Sequence, residues 1–242
     1  MINIKDVSMH YGPTVALDRA SFTVGDGEIL GILGPNGAGK STLMKILTTF
    51  ITPLAGTVTV GGFDVVNDPL KVRELVGYLP ETVPLYSDMR VDEYISFVGE
   101  ARGLAGKRLE ERRVWVREAC SLGPVWKHGI NELSKGFRQR VGLAQAIIHD
   151  PKVLILDEPT NGLDPVQIIG IRKLIRGLAR GKTIIFSSHI LQEVEAIADR
   201  IVIIHEGRIV AQGTRGELAA QAGGQASTLE EIFINFLSVK RG

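Results

Sequence analysis

Eight residues, GPNGAGKS at positions 34–41, constrain this chain more than any other stretch. They fit the spacing GxxxxGK[ST], and their surroundings suit it. Residues 28–33 before them are nearly all apolar, as in a strand buried on both faces, and residues 41–50 after them carry apolar side chains at helical spacing. Glycines let the backbone curl so that successive amides point inward as a nest for anions. A helix opening at Gly39 adds the positive end of its dipole. Lys40 brings a full charge to the β- and γ-phosphates of a nucleotide, and the Ser41 hydroxyl is a magnesium ligand. The predicted nucleotide-binding set in this loop is Gly34, Pro35, Asn36, Gly37, Ala38, Gly39, Lys40, Ser41 and Thr42.

The remaining pattern wraps around this loop. Residues 2–7 alternate apolar and polar, a turn follows at Tyr11-Gly12-Pro13, and residues 20–24 alternate again. Residues 56–60 and 76–79 read as further strands. From 83 to 148 the period becomes helical: Val91, Tyr94, Ile95 and Val98 share one face, and Val114, Ala119, Cys120 and, less cleanly, Val116 share another. Strand and helix then alternate, with strands at 153–156, 183–186 and 201–204 and helices at 165–179 and 191–198. That alternation predicts a mostly parallel sheet covered by helices. Residues 228–237 read as a closing amphipathic helix, capped by Ser227 or Thr228, with Glu230 and Glu231 in its first turn. Gly223-Gly224 marks a small flexible stretch before it.

Composition narrows the partners. With 28 Lys and Arg against 27 Asp and Glu, the net charge of +1 suggests neither nucleic acid nor an anionic membrane. One cysteine, Cys120, excludes an intrachain disulfide and suits a reducing compartment. The N-terminal residues alternate like a strand and do not read as a signal peptide, and no apolar run has the length of a membrane span. A soluble chain is expected, reaching a membrane only through a partner.

Two carboxylates end the strand VLILDE at 153–158. Asp157 would meet magnesium directly or through water, and Glu158, one residue on, is free to act as general base on an attacking water. An Asp-Glu pair opening a surface turn before Pro159 is the plainer alternative, which the upstream phosphate loop disfavours. His189 follows a strand through Ser187-Ser188, at the sheet edge where ligands bind, and could reach a γ-phosphate or merely cap a helix. His10, His128, His149 and His205 have no such setting.

Further motifs stand in order along the chain: LSKGFRQR at 133–140, NGLD at 161–164 and SSH at 187–189. Together with the phosphate loop and the DE strand, they resemble the ATP-binding-cassette (ABC) family over essentially the whole chain. The LSxG motif just before a DE strand separates that family from other P-loop NTPases. GYLPE, LSKGFRQR and the ending LEEIF look like cassettes of ABC-2-type exporters, gliding-motility-associated and drug- or lipid-export ones coming closest. The resemblance implies an α/β fold: a P-loop NTPase core with a mostly parallel sheet, an N-terminal antiparallel β subdomain and an inserted helical lobe. One nucleotide-binding domain would span 1–242, with 1–82 and 149–213 as core, 83–148 as helical lobe and 214–242 as C-terminal helical tail.

The resemblance also assigns roles. Tyr11 would stack on adenine, ATP and Mg2+ would be the cofactors, and Glu158 and His189 would be catalytic. Ser41, Asp157 and Glu81 would hold the metal. The helix opened by Ser134, Lys135 and Gly136 would reach the γ-phosphate of ATP held by a second copy of the cassette, and Ser134 is independently a good N-cap. The implied partners are that second copy and an integral membrane permease subunit, with no nucleic acid, on the cytoplasmic face of the cell membrane. A soluble cassette ATPase acting on ribosomes or nucleic acid is the alternative; a single set of motifs and the lack of room for a long coiled coil between Lys40 and Ser134 weigh against it. Two positions depart from the family pattern. Glu81 stands where Gln is usual, and Lys135-Gly136-Phe137 replaces Gly-Gly-Gln, with Lys135 either touching phosphate or, as favoured here, facing solvent. Lys107 to Arg117 reads either as a membrane-subunit contact or, more plainly, as a solvated helix face; the resemblance implies docking of a membrane subunit beside the loop after residue 81, which makes residues 82–94 the better candidate.

Overall fold

The computed structural model of the chain describes residues 1–223 and 228–238. Strands β1 (Ile2–Tyr11) and β2 (Thr14–Val24) form an antiparallel hairpin about Gly12-Pro13. Strand β3 (Ile29–Leu33) runs into the phosphate loop and helix α1 (Lys40–Leu47), after which β4 (Ala55–Val60) and β5 (Phe63–Asp64) complete a four-stranded sheet in the order β2-β1-β4-β5. Helix α2 (Pro69–Leu75) leads to β6 (Val76–Leu79), and helices α3 (Val91–Ala101), α4 (Gly106–Ala119) and α5 (Lys135–Ile147) follow. The remaining elements are β7 (Val153–Leu156), α6 (Pro165–Leu178), β8 (Thr183–Ser188), α7 (Leu191–Ile197), β9 (Arg200–His205), β10 (Arg208–Gly213), α8 (Arg215–Gln221) and α9 (Leu229–Ser238).

The second sheet has the order β10-β9-β3-β8-β7-β6 and is parallel except at β10. Its strands bury both faces, and their period of two divides the core. Ile29, Leu33, Leu154, Leu156, Ile184 and Phe186 face one cluster with α5, α6 and α7, whereas Leu30, Ile32, Val153, Ile155 and Ile185 face the other with α1 and the antiparallel sheet. At roughly 2 kcal/mol per buried aliphatic side chain, these two layers fix the sheet from both sides.

Several elements depart from the expected bounds. The α1 helix stops at Leu47, capped by Thr48, because Thr49 adopts φ 60° and its Oγ1 accepts from Arg73 Nε at 2.6 Å. Both β1 and β2 run on to the turn, longer than their alternation showed. Of the face expected in α4, Val116 and, at its C-cap, Cys120 are buried and Ala119 is half-buried, whereas Val114 is 46% exposed and turns away from the core. Burial pushes the Cys120 thiol up to about 12, so it packs as an apolar group. Thr228 and Glu231 form a reciprocal cap on α9, each backbone N–H reaching the other's side chain at 3.2 Å. Ser227 and Gly224 lie outside the described residues. Among the described residues no helix is long and apolar enough to cross a membrane.

His149 makes stability depend on pH. Its Nε2 lies 3.1 Å from the Val76 carbonyl oxygen, and its ring packs near Arg102, Arg112 and Lys182, with Asp150 as the neighbouring acid. Burial, reinforced by those cations, lowers its pKa from 6.5 to about 4. Between these values the unfolded chain binds the extra proton, so stability is lost as pH falls through that window. Denaturant titrations from pH 7 to pH 4 should show a loss of at most ~3 kcal/mol from this group, and His149→Gln should flatten it. An equal slope in the variant contradicts the assignment.

Candidate active site

The register of the parallel sheet aligns four strand ends. Leu33 of β3 stands beside Ser188 of β8, Phe186 beside Leu156 of β7, and Leu156 beside Leu79 of β6. The loops leaving these ends therefore emerge together, where doubly wound sheets hold ligands. They enclose a cleft of about 500 Å³ lined by Asn36, Gly37, Gly39, Lys40, Ser41, Thr42, Glu81, Glu158, Asn161 and His189. The β1–β2 hairpin closes it with Tyr11, Thr14, Val15 and Ala16, and Tyr11 is 47% exposed at the rim.

Gly39 adopts φ 107°, and a Cβ there would meet the Ala16 carbonyl oxygen at 2.2 Å, so the loop enters α1 only with glycine at this point. Gly34, Pro35 and Ala38 shape the loop without lining the cleft. Gly34 packs on Ile204, Ala38 is buried with its carbonyl accepting from Gly207 N–H at 3.0 Å, and the carbonyls of Gly34 and Pro35 accept from Lys40 Nζ at 2.9 and 3.2 Å.

Glu158 links the loop to His189. Its Oε1 lies 3.3 Å from Lys40 Nζ and its Oε2 2.9 Å from His189 Nδ1, while its backbone holds a left-handed φ of 48°. Such a conformation in a residue with a side chain costs about 1 kcal/mol or more and persists where neighbours over-determine it. Ser187 is one of those neighbours: its Oγ accepts from Glu158 N–H at 2.8 Å and donates to Asp157 Oδ1 at 2.6 Å. Asp157 sits beneath the cleft at 2% exposure. Burial raises its pKa, hydrogen bonds from Ser187 and Ser41 act against the rise, and the charges of Glu81 and Glu158 add to it. Glu81 is exposed in the cleft lining and accepts from Asn161 Nδ2 at 3.0 Å.

The structure does not bring Ser134, Lys135 and Gly136 to this cleft. They open α5, where Ser134 Oγ accepts from Phe137 N–H at 3.4 Å. Gly136 is buried beneath Gln167, and exposed Lys135 lies over Gly162, where a Cβ would be 2.0 Å from Nζ. Sequence reasoning missed Thr14, Val15 and Ala16, and gave Ser187 no role of its own. It also missed Tyr78, whose phenol is raised by burial and by the charges of Asp157 and Glu81, and Gln139, which donates to the Pro159 carbonyl at 2.9 Å. Two hydroxyls ending the apolar run TIIFSS were the available signal for Ser187.

A parallel sheet with a glycine-rich loop after β3, a lysine opening the helix behind it and two carboxylates after β7, one strand further along the sheet, defines the class of P-loop nucleotide-binding proteins. A family model described as ABC transporter matches residues 17–161, and one described as AAA domain, putative AbiEii toxin, Type IV TA system matches residues 130–195. The chain is 34% identical over 241 residues to the probable multidrug ABC transporter ATP-binding protein YbhF of Escherichia coli strain K12, covering 98% of this chain and 42% of that one. It is 34% identical to the linearmycin resistance ATP-binding protein LnrL of Bacillus subtilis strain 168, covering 93% of this chain and 72% of the relative. A solved structure of the ATP binding subunit of an ABC transporter superposes with a TM-score of 0.89 at 30% identity, over 98% of this chain and 99% of that one. The chain belongs to the ABC transporter family of ATP-binding subunits. It spans less than half the length of YbhF.

Proposed function

We propose that the chain is the ATP-hydrolysing motor of an ABC-2-type exporter, acting as a pair of cassettes beneath a separate membrane permease on the cytoplasmic face. One observation carries this reading: the helix start at Ser134 is exposed and capped, yet lies outside the chain's own cleft. Its free amides suit a γ-phosphate held by a second copy. The names of YbhF and LnrL, a multidrug transporter subunit and a resistance protein, support the exporter assignment. The expected division into a core of 1–82 and 149–213, a lobe of 83–148 and a tail of 214–242 belongs to the same reading. No nucleic-acid partner is proposed.

Tyr11 stacks on adenine, and the amides of residues 36–42 with Lys40 take the phosphates. Once Lys40 turns to the γ-phosphate, Glu158 Oε1 loses its ammonium partner and accepts the proton of an attacking water. His189, held at Glu158 Oε2, closes over the same phosphate. The donors offered to a metal are hard oxygens, namely Ser41, Asp157 and Glu81, and the charges of Glu81 and Glu158 both act on buried Asp157, so a divalent cation fits. Among the described residues no three His, Cys, Asp or Glu side chains form a closed cage, which suits magnesium held partly by phosphate. Magnesium, when bound, neutralises charge on the β- and γ-phosphate oxygens.

Glu81→Gln should keep turnover and shift its magnesium dependence, since the amide retains an oxygen but loses the charge. A magnesium titration of turnover checks this, and total inactivity would mean Glu81 is essential. The permease contact belongs, on this reading, to residues 82–94; exposed Tyr86, packed edge-on against Tyr94 and beside Phe97, supports that choice. The two-copy reading is tested by turnover against protein concentration. Specific activity should climb with concentration and then level off; a flat profile from the most dilute sample contradicts it.

A further inference from the structure

Two consecutive serines end β8, and because strand side chains alternate they face opposite ways. Ser187 serves Asp157 and Glu158, as described. Ser188, also fully buried, donates to Glu193 Oε2 at 2.8 Å and accepts from Ile190 N–H at 3.0 Å. Glu193 is the third residue of α7, where a glutamate ordinarily reaches back to the N-cap amide. Here the N-cap amide of Ile190 goes to Ser188, and the glutamate holds that serine instead. The resulting ring encloses residues 188–193 and fixes the turn that carries His189.

Its cost is visible. Glu193 is 2% exposed, and its Oε1 has no partner among the described residues. A buried carboxylate oxygen left unpaired is destabilising, and packing alone gives no reason to keep it. We propose that Glu193 is a positioning residue: through Ser188 it sets the backbone of the turn that presents His189 to Glu158. It touches neither the cleft nor Glu158, and acts only through the turn. In its turnover arm the inference rests on the ATPase reading above.

The test uses the full chain and two readouts. Five histidines make the imidazole signals assignable by substitution in 1H–13C NMR spectra. Glu193→Ala and Ser188→Ala should each move the His189 ring signals and leave those of His10 and His128 in place. Both should lower Mg-ATP turnover roughly 10- to 10²-fold, the scale of a small misplacement, and leave KM for ATP near its starting value. In a His189→Ala background Glu193→Ala should cause no further loss, because nothing remains to be positioned. Glu193→Gln keeps a carbonyl for the Ser188 hydroxyl and should restore the His189 signals and most of the turnover, which also answers a folding defect in the alanine variant. Unmoved His189 signals in folded Glu193→Ala, or a loss that multiplies that of His189→Ala, overturns the inference. If the signals move while the wild-type chain hydrolyses no ATP, the positioning stands and the ATPase reading fails.

Discussion

Glu158→Gln is expected to cut steady-state ATP turnover by ~10²-fold or more, the scale on which loss of a general base is felt, while ATP still binds. The amide preserves the volume and leaves Lys40 with its two carbonyl partners at Gly34 and Pro35, so the phosphate loop keeps its shape. It removes the one carboxylate that lies between Lys40 and His189. Phosphate release checks turnover, and equilibrium binding of a fluorescent ATP analogue checks affinity. Turnover at the wild-type rate would place the base elsewhere.

Lys40→Ala should weaken ATP binding by about 10- to 10²-fold, since a hydrogen bond to a charged group is worth about 1.5–3 kcal/mol. A second effect comes with it. The Lys40 and Glu158 side chains are 5% and 6% exposed, and removing the ammonium leaves a buried carboxylate with only His189 beside it. Breaking a buried pair from one side costs about 3–5 kcal/mol. The variant should therefore melt earlier as well, and Lys40→Ala combined with Glu158→Gln should recover much of that stability without recovering affinity. Calorimetric titration with ATP and thermal melts separate the two effects. Unchanged ATP binding in Lys40→Ala contradicts the phosphate-loop assignment.

Most of the frame was legible because it is written in period and punctuation. The apolar runs of β3, β7 and β8 are strands buried on both faces, and the glycines between β3 and α1 permit the positive-φ turn that the loop makes at Gly37 and Gly39. Their parallel order follows from the helices between them, and so does the gathering of Lys40, Glu158 and His189. Less legible were elements with mixed chemistry. Strand β10 carries Arg208 and Gln212 and is paired by its hairpin with β9, not announced by alternation. In α4, charged heads stack on aromatic rings, the Arg112 guanidinium lying 4.2 Å over the centre of the Trp115 ring, so the charged pattern hid which residue faced the core. Ser187, Ser188 and Glu193 were hidden for a different reason: their partners lie across strands and turns, and no spacing within one element encodes them. The arrangement of Ser134 outside the chain's own cleft was likewise invisible to spacing, since it depends on how α5 leaves the turn at Ile130 to Leu133.

On the proposed reading, ATP joins two copies of this cassette and Glu158 ends the union. Size-exclusion chromatography of Glu158→Gln with and without Mg-ATP tests it most directly. A shift from monomer to dimer that requires ATP is the expected result. A monomer that persists while ATP is demonstrably bound would contradict the shared site at Ser134 to Gly136.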